Sequence, residues 1–157
     1  MSRAFVSEER VEAAPAVLPE RPVSGRPNLV TPRGLRLIEQ QVAELQAAVA
    51  STADDAEHAR LARDLRYWQS RRANAQLVAA PAGELREVAF GTTVSVRRPD
   101  GTVRRYSIVG EDEAEPANGL LSWSAPLAQA LLGAAVGDLV EPGGGRPPVT
   151  VVAIERS

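Results

Sequence analysis

Two stretches of helical periodicity, separated by a short polar segment, constrain the fold of this chain more than any other feature. In the first stretch apolar residues recur at intervals of three and four, at Leu35, Ile38, Val42, Leu45 and Val49. The second, weaker stretch has a comparable series at His58, Leu61, Leu65 and Trp68. Such a seam is typical of helices that pack lengthwise. Because the segment STADD at 51–55 is only long enough for a loop, the two helices should pair antiparallel.

The start and the length of the first helix can be predicted as well. Thr31 is a good N-cap, and Pro32 takes the first helical position, where its missing N–H costs no hydrogen bond. From Leu35 to the bend, about 18 residues at the rise of an α-helix give an arm of roughly 27 Å. We therefore expect a short antiparallel coiled coil over residues 31–80.

Beyond Pro81 and Gly83 the pattern changes from helical to alternating. Strand-like segments occur at 87–98, 103–110, 118–124, 138–142 and 148–155. A Pro-Asp-Gly turn at 99–101 separates the first two, and a short helix is predicted over 125–133. The fold class is therefore α+β: an N-terminal helical hairpin followed, over 81–157, by an antiparallel sheet packed on one short helix.

Composition excludes several classes of function. A net charge of −2 predicts no general attraction to nucleic acid or to an anionic membrane. The chain has no cysteine and one histidine, so disulfides and thiolate sites are excluded and a histidine-based zinc site lacks ligands. We therefore expect no bound metal ion and no cofactor.

The N-terminal residues 1–30 differ from the rest of the chain. They contain several prolines, scattered charges and few large apolar side chains, which predicts an extended or disordered tail. No apolar run approaches the roughly 20 residues that span a bilayer, and the N-terminus lacks the apolar core of a signal peptide. A cytoplasmic protein is expected.

Three carboxylates, Asp54, Asp55 and Glu57, gather at the bend of the predicted hairpin. Acids at the start of a helix cap its unpaired N–H groups and interact well with its dipole. Carboxylates are also hard oxygen ligands, suited to Mg²⁺. Capping residues and a chemically active tip are therefore both compatible with this segment.

Five ordered segments carry a resemblance to a known family: VTPRGL at 30–35, VAFGTTVSV at 88–96, YSIVGEDEAEPANG at 106–119, APLAQALLG at 125–133 and VGDLVE at 136–141. In order and spacing, over about residues 28–157, the chain resembles the bacterial Gre transcript-cleavage factors. The resemblance implies an FKBP-like C-terminal domain that binds RNA polymerase at the rim of its secondary channel. It also implies a coiled coil that enters the channel, where its acidic tip helps to hold a catalytic magnesium ion while the polymerase itself hydrolyses backtracked RNA.

The tip departs from the family pattern. The family tip resembles G-D-L-S-E-N-A-E-Y, and matching its A-E-Y to Ala56, Glu57 and His58 places Asp54 at the metal-binding Glu position. The metal-binding Asp position then falls on Ser51, and the coil is several turns shorter than the family's usual one. Three readings follow for the tip acids: capping alone, an electrostatic role inside the channel, or metal-assisted cleavage.

Other residues receive a role only through the resemblance. The polymerase-binding loop of the family corresponds to Ser122, Ser124, Pro126 and Leu127, with Ala125 in place of a serine. The stripe of Arg60, Arg63 and Arg66 is either a solvated face or a contact with RNA or with an acidic polymerase surface. The acidic run 111–113 is expected to be a solvated loop.

The predicted function is that of a Gre-like transcription elongation factor, monomeric and not itself an enzyme. It would bind bacterial RNA polymerase, with possible contact to the RNA or DNA of the elongation complex, and modulate elongation or paused and backtracked complexes. Within the superfamily, the alternative is a short-coil regulator named for nucleoside diphosphate kinase, or a competitor of Gre factors. The alternative from another class is a prolyl isomerase, for which the domain offers the aromatic residues Phe90, Tyr106 and Trp123.

Overall fold

The computed structural model describes residues 18–157, and the part of the predicted tail before residue 18 lies outside the described residues. The hairpin consists of α1, Pro32–Ser51, and α2, Asp55–Asn74. Thr31 caps α1 as predicted, because its Oγ1 accepts a hydrogen bond from the Gly34 N–H at 3.0 Å. The predicted helical hairpin is confirmed.

Packing along the hairpin follows the predicted seam, with one exception. Ile38 and Val42 are fully buried, and Leu61 and Leu65 are partly buried. His58, which its spacing assigned to the seam, is exposed. It lies in the first turn of α2, next to the loop, and the packed face of this helix begins one turn later. The assignment of His58 to the seam is therefore wrong, and His58 is not one of the packed residues of the coil.

Two short strands at the base of the hairpin were not predicted. Strand β1, Asn28–Val30, pairs in parallel with β2, Ala75–Leu77. Parallel neighbours require a long crossover connection, and here the whole helical hairpin supplies it. The last residues of the predicted tail are thus part of the fold.

The second unit is a five-stranded sheet with the order β5-β4-β3-β7-β6. Its strands are β3 Thr92–Arg97, β4 Val103–Val109, β5 Leu120–Ser122, β6 Leu139–Val140 and β7 Val149–Arg156. The α+β class is confirmed, but the sheet is mixed: β4 and β5 run parallel, whereas the other three pairings are antiparallel. The reason is the connection 110–119, whose two short 3-10 turns and left-handed Gly119 carry the chain back before β5 begins.

Helix α3, Pro126–Leu131, covers one face of this sheet. Ala128 and Leu131 point into a core that includes Val94, Ile108 and Val151, all of them at 0 % exposure. Val94 and Val96 of β3 face the core as predicted, although the predicted outward residue Thr93 is buried as well. The core therefore fixes α3, and with it the loop that precedes α3, against the sheet.

The acidic run Glu111–Glu113 joins the two units, which corrects its expected role as a solvated loop. Glu113 is buried, and its Oε2 accepts a hydrogen bond from the Thr31 hydroxyl at 2.6 Å. The Arg71 side chain is 2 % exposed, and its Nε lies 2.5 Å from Asp112 Oδ2. Carboxylates can be buried in this turn because cationic and hydroxyl donors from the hairpin meet them.

Removal of the buried anion should be costly. Asp112→Ala should lower the free energy of unfolding by about 3–5 kcal/mol, because the buried Arg71 guanidinium loses its counter-ion. Urea denaturation of the purified chain measures the change. Glu155→Ala is the matched control, since it removes the partner of Arg105 from an exposed pair, and should cost about 1 kcal/mol or less. Equal losses for the two variants would contradict the assigned role of Asp112.

Candidate functional site

The tip of the hairpin is organised as a helix cap. Asp54 is the N-cap of α2, and its Oδ1 accepts a hydrogen bond from the Glu57 N–H at 2.8 Å. The Glu57 carboxylate forms an ion pair with Arg60 at 2.5 Å. Asp55 is exposed in the first helical turn. Of the three tip acids, two therefore have local partners, and the geometry for capping is present.

Metal binding at the tip would have to rely on few ligands. Within residues 18–157, no group of three or more His, Cys, Asp or Glu side chains is arranged so that it could hold a metal ion. The 20 residues of α1 give the arm a length of about 30 Å at the helical rise. The tip acids thus lie far from the sheet domain and could contribute at most part of a metal site on another molecule.

The arginine stripe of α2 is paired throughout. Arg60 pairs with Glu57 at 2.5 Å, and Arg63 pairs with Asp64 at 3.2 Å. Arg66 forms a two-pronged pair with Glu20, at 2.6 Å and 3.1 Å. The pair of Glu57 with Arg60 could be read from the sequence by its i,i+3 spacing, whereas Asp64 directly follows Arg63, a spacing that does not predict a pair on a helix. The pair with Glu20 could not be read either, because Glu20 lies 46 residues away in a segment expected to be a tail.

The four residues assigned to the polymerase-binding loop lie together where β5 ends and α3 begins. The hydroxyls of Ser122 and Ser124 are 2.8 Å apart, and the Ser124 N–H donates to Ser122 Oγ at 3.2 Å. Pro126 is exposed at the first position of α3, while Leu127 is partly buried against the sheet core. We call residues 122–127 the docking loop. It presents hydroxyl groups and an apolar edge on a backbone that the core holds in place.

A cavity of about 590 Å³ lies beside the docking loop and was missed by the sequence reasoning. Leu127, Tyr106 and Val149 supply apolar lining. Arg98 and Arg146 also line it, the latter from the glycine-rich loop between β6 and β7. Of the three aromatic residues considered for a prolyl isomerase, Phe90, Tyr106 and Trp123, only Tyr106 lines this cavity. The cavity therefore extends the surface of the docking loop and does not favour isomerase chemistry.

Tyr67 belongs to the buried junction between the hairpin and the sheet domain. Its hydroxyl donates to Asp112 Oδ1, and the Arg21 guanidinium stacks over its ring at 3.9 Å. Burial, together with the hydrogen bond to the Asp112 carboxylate, raises the pKa of Tyr67 to about 12. The folded chain thus favours the neutral phenol, whose contribution to stability is complete below about pH 10 and is lost as the pH rises through the raised pKa.

A family model and several curated relatives that match this chain all belong to one family. The family model described as transcription elongation factor, GreA/GreB, C-term, matches residues 83–156. A transcription elongation factor GreA of Caulobacter vibrioides is 30% identical over 140 residues, which cover 73% of this chain and 89% of that protein. The GreA of Halalkalibacterium halodurans is 40% identical over 75 residues, which cover 45% of this chain and 48% of that one. The chain spans about half the length of the first curated relatives it matches.

Solved structures give weaker similarity. A GreA/GreB elongation factor of Nitrosomonas europaea matches with a TM-score of 0.41 and 20% identity, over 83% of this chain and 98% of that one. The GreA factor homolog Gfh1 of Thermus thermophilus matches with a TM-score of 0.39 and 19% identity, over 83% and 99% of the two chains. The GreA/GreB family model and the GreA of Caulobacter vibrioides do not favour the two alternatives, a nucleoside diphosphate kinase regulator and a prolyl isomerase. Among residues 18–157, no helix has both the length and the apolar character needed to cross a membrane.

The capping role of Asp54 is testable on its own. Asp54→Ala should lower the free energy of unfolding by about 0.5–2 kcal/mol, because the Glu57 N–H loses its acceptor. Asp54→Asn should retain most of the stability, since an amide oxygen also accepts this hydrogen bond. Asp55→Ala is the neighbouring control and should change the value by less. Thermal and urea denaturation measure all three variants, and equal effects of the two alanine substitutions would contradict the cap.

The raised pKa of Tyr67 predicts how alkali acts on the fold. Between about pH 10 and about pH 12 the wild-type chain should lose stability, and Tyr67→Phe should lose less, because phenylalanine has no proton to release. All eighteen basic residues are arginine, so no lysine titrates in this range, and Tyr106 is common to both proteins. Urea denaturation at a series of alkaline pH values gives the comparison. Parallel curves of stability against pH for the two proteins would show that folding does not raise the pKa of Tyr67.

Proposed function

Since the chain belongs to the GreA/GreB family of transcription elongation factors, we propose that it binds bacterial RNA polymerase at the secondary channel. In this proposal the docking loop contacts the rim of the channel and the hairpin extends into it. The chain modulates elongation and the behaviour of paused or backtracked complexes. It catalyses no reaction itself; any RNA cleavage that it stimulates takes place at the polymerase active site.

One observation carries the proposal above all: the hairpin and the docking loop are fixed to the same turn. Asp112 in that turn holds Arg71 of α2 at 2.5 Å, and Glu113 holds the N-cap residue of α1 at 2.6 Å. From the same connection the chain enters β5 and then the docking loop, whose Trp123 N–H donates to Val109 O at 2.9 Å. A partner that binds the docking loop therefore also fixes the direction of the hairpin.

We favour a function in which the chain occupies the secondary channel without stimulating RNA cleavage. Asp54 uses one carboxylate oxygen as a cap, and Glu57 is paired with Arg60, so a metal ion would have to compete with a local partner at each of them. The arm of about 30 Å is short for a device that must reach a buried active site. An occupant of this kind would compete with full-length Gre factors for the same channel.

Stimulation of cleavage is the second candidate, and one residue favours it. Asp55 is exposed and makes no side-chain hydrogen bond or ion pair with any residue from 18 to 157. Its carboxylate is available to a magnesium ion that the polymerase holds, and such an ion activates a water molecule and neutralises developing phosphoryl charge. If the arm reaches far enough, Asp55 is the residue through which it would act.

The test uses backtracked elongation complexes of the cognate polymerase in the presence of Mg²⁺. We expect the protein to release no short 3′ RNA fragments by itself, and to slow the release stimulated by a full-length GreA as its concentration rises. Release that Asp55→Ala abolishes would instead establish the second candidate. Failure to compete and failure to bind polymerase would together overturn the proposed function.

Docking is tested with a matched pair of leucines. Leu127→Asp should weaken binding to polymerase at least about tenfold, because it places a charge on the apolar edge of the docking loop. Leu139→Asp is the control, since Leu139 is 66% exposed on another edge of the same domain. Because Pro126 is exposed, Pro126→Glu leaves the core intact and so separates loss of docking from loss of folding. Binding is measured by titration of labelled polymerase.

A further inference from the structure

Residues 18–27 form a strap that crosses the outside of the molecule from the hairpin to the docking loop. They form neither helix nor strand, and most of their side chains are exposed. Even so, the segment makes side-chain contacts at both of its ends and in the middle. Its partners belong to α2, to the acidic turn and to the docking loop.

The upper end of the strap is held by α2. Glu20 forms the two-pronged pair with Arg66, in which both side chains are more than half exposed. Arg21 stacks over the Tyr67 ring and lies 3.7 Å from Asp64. Exposed contacts of this kind are individually weak and are screened by salt. The strap is therefore anchored, but in a way that solution conditions or a partner can alter.

The lower end reaches the acidic turn and then the docking loop. Ser24 Oγ donates to Glu111 Oε1 at 3.1 Å and accepts the Arg26 N–H at 3.2 Å. The Arg26 guanidinium then donates from Nη1 to the backbone oxygen of Ser124 at 3.1 Å. Ser24 thus orients Arg26, which comes from 98 residues earlier in the chain to bind the loop.

The docking loop depends on side chains for part of its shape. Its two consecutive carbonyl groups, at 123 and 124, accept hydrogen bonds from side chains: Gln129 Nε2 binds Trp123 O at 2.6 Å, and Arg26 binds Ser124 O. Gln129 lies on α3, a short distance along the chain, whereas Arg26 lies on the strap. The conformation in which Ser122 and Ser124 present their hydroxyls is therefore held from two sides.

We propose that Arg26 is a positioning residue for the docking loop, and that the strap couples this loop to the hairpin. The inference rests on the proposed function for its biological meaning, because it assigns to Arg26 an effect on polymerase binding. Its structural part, that Arg26 holds the loop, stands on the contacts of residues 20–26 alone. Arg26 acts through Ser124 and need not touch the polymerase.

The first experiment measures polymerase affinity. Arg26→Ala should weaken binding by about threefold to tenfold, the range for the loss of one ordinary hydrogen bond, because this bond is exposed to solvent. Arg26→Lys should recover most of the affinity, because an ammonium group also donates to a carbonyl. Arg86→Ala is the matched control, since Arg86 is an exposed arginine of the same domain that pairs only with Glu84 among residues 18–157. An Arg26→Ala protein that binds as tightly as the wild type would overturn the role in docking.

The second experiment reads the loop directly, without polymerase. In a Trp68→Phe background, Trp123 is the single tryptophan and reports on the docking loop. Arg26→Ala should increase quenching of Trp123 fluorescence by a neutral quencher, with an unchanged midpoint of thermal unfolding. Arg26→Lys should restore the wild-type quenching. Unchanged quenching in Arg26→Ala would show that Arg26 does not position the loop.

The third experiment tests the coupling through the strap. Glu20→Arg places like charges at Arg66, so it should weaken the attachment of the upper end of the strap and increase the quenching of Trp123. The exchanged pair, Glu20→Arg with Arg66→Glu, restores opposite charges and should restore the wild-type quenching. If the single charge reversal leaves Trp123 unaffected, the strap does not couple the two units.

The outcomes separate this inference from the proposed function. If Leu127→Asp abolishes polymerase binding while Arg26→Ala has no effect, the inference fails and the proposed function stands. If the wild-type chain does not bind polymerase at all, the proposed function fails, together with the docking role of Arg26. The fluorescence measurements then still decide whether Arg26 holds the loop.

Discussion

The ion pair between Arg71 and Asp112 is the interaction on which the arrangement of the two units depends. Both side chains are almost completely buried, and the cost of removing their charges from water is offset in part because each makes a further hydrogen bond. The second oxygen of Asp112 accepts the Tyr67 hydroxyl, and Arg71 Nη2 donates to Asn28 Oδ1 at 2.7 Å. Asn28 Nδ2 in turn donates to the Arg71 carbonyl at 2.7 Å, so the start of β1, the end of α2 and the acidic turn are locked together.

Such a junction also requires close approach of backbones, and two glycines permit it. A Cβ atom on Gly34 would lie 2.8 Å from Glu113 Oε2, and one on Gly110 would collide with the Leu29 carbonyl oxygen. Both contacts are tighter than real Cβ atoms tolerate, and the second involves backbone that cannot swing aside. These glycines lie in the segments VTPRGL and YSIVGEDEAEPANG, which are two of those that carried the family resemblance. The close contact between the two units thus explains why these two positions are glycine, and no turn in the backbone is needed to explain it.

Those features that depend on neighbours along the chain could be predicted from the sequence. The seam at Ile38 and Val42, the Thr31 cap and the inward-facing valines of β3 are local patterns, and each was confirmed. The burial of the acidic turn, the parallel pairing of β1 with β2 and the contact of Arg26 with Ser124 join residues 41 to 98 positions apart. A charged run such as Glu111–Glu113 has the same composition whether it is solvated or paired, so only the fold could distinguish the two. The docking loop itself was located by resemblance, and its role remains a prediction.

The pairing of charges along the hairpin bears on how such an arm would enter a channel. The arginines at 60, 63 and 66 each face a carboxylate at close range; at the tip, Glu57 is the partner of Arg60, while Asp54 caps the Glu57 N–H. Internally paired charges produce a weak field at a distance, so long-range steering of the arm would be small. In the proposed mode of binding, orientation would then come from the contact at the docking loop, which the buried junction would transmit to the hairpin. We infer that shape and a rigid connection, more than charge, govern where the tip is placed.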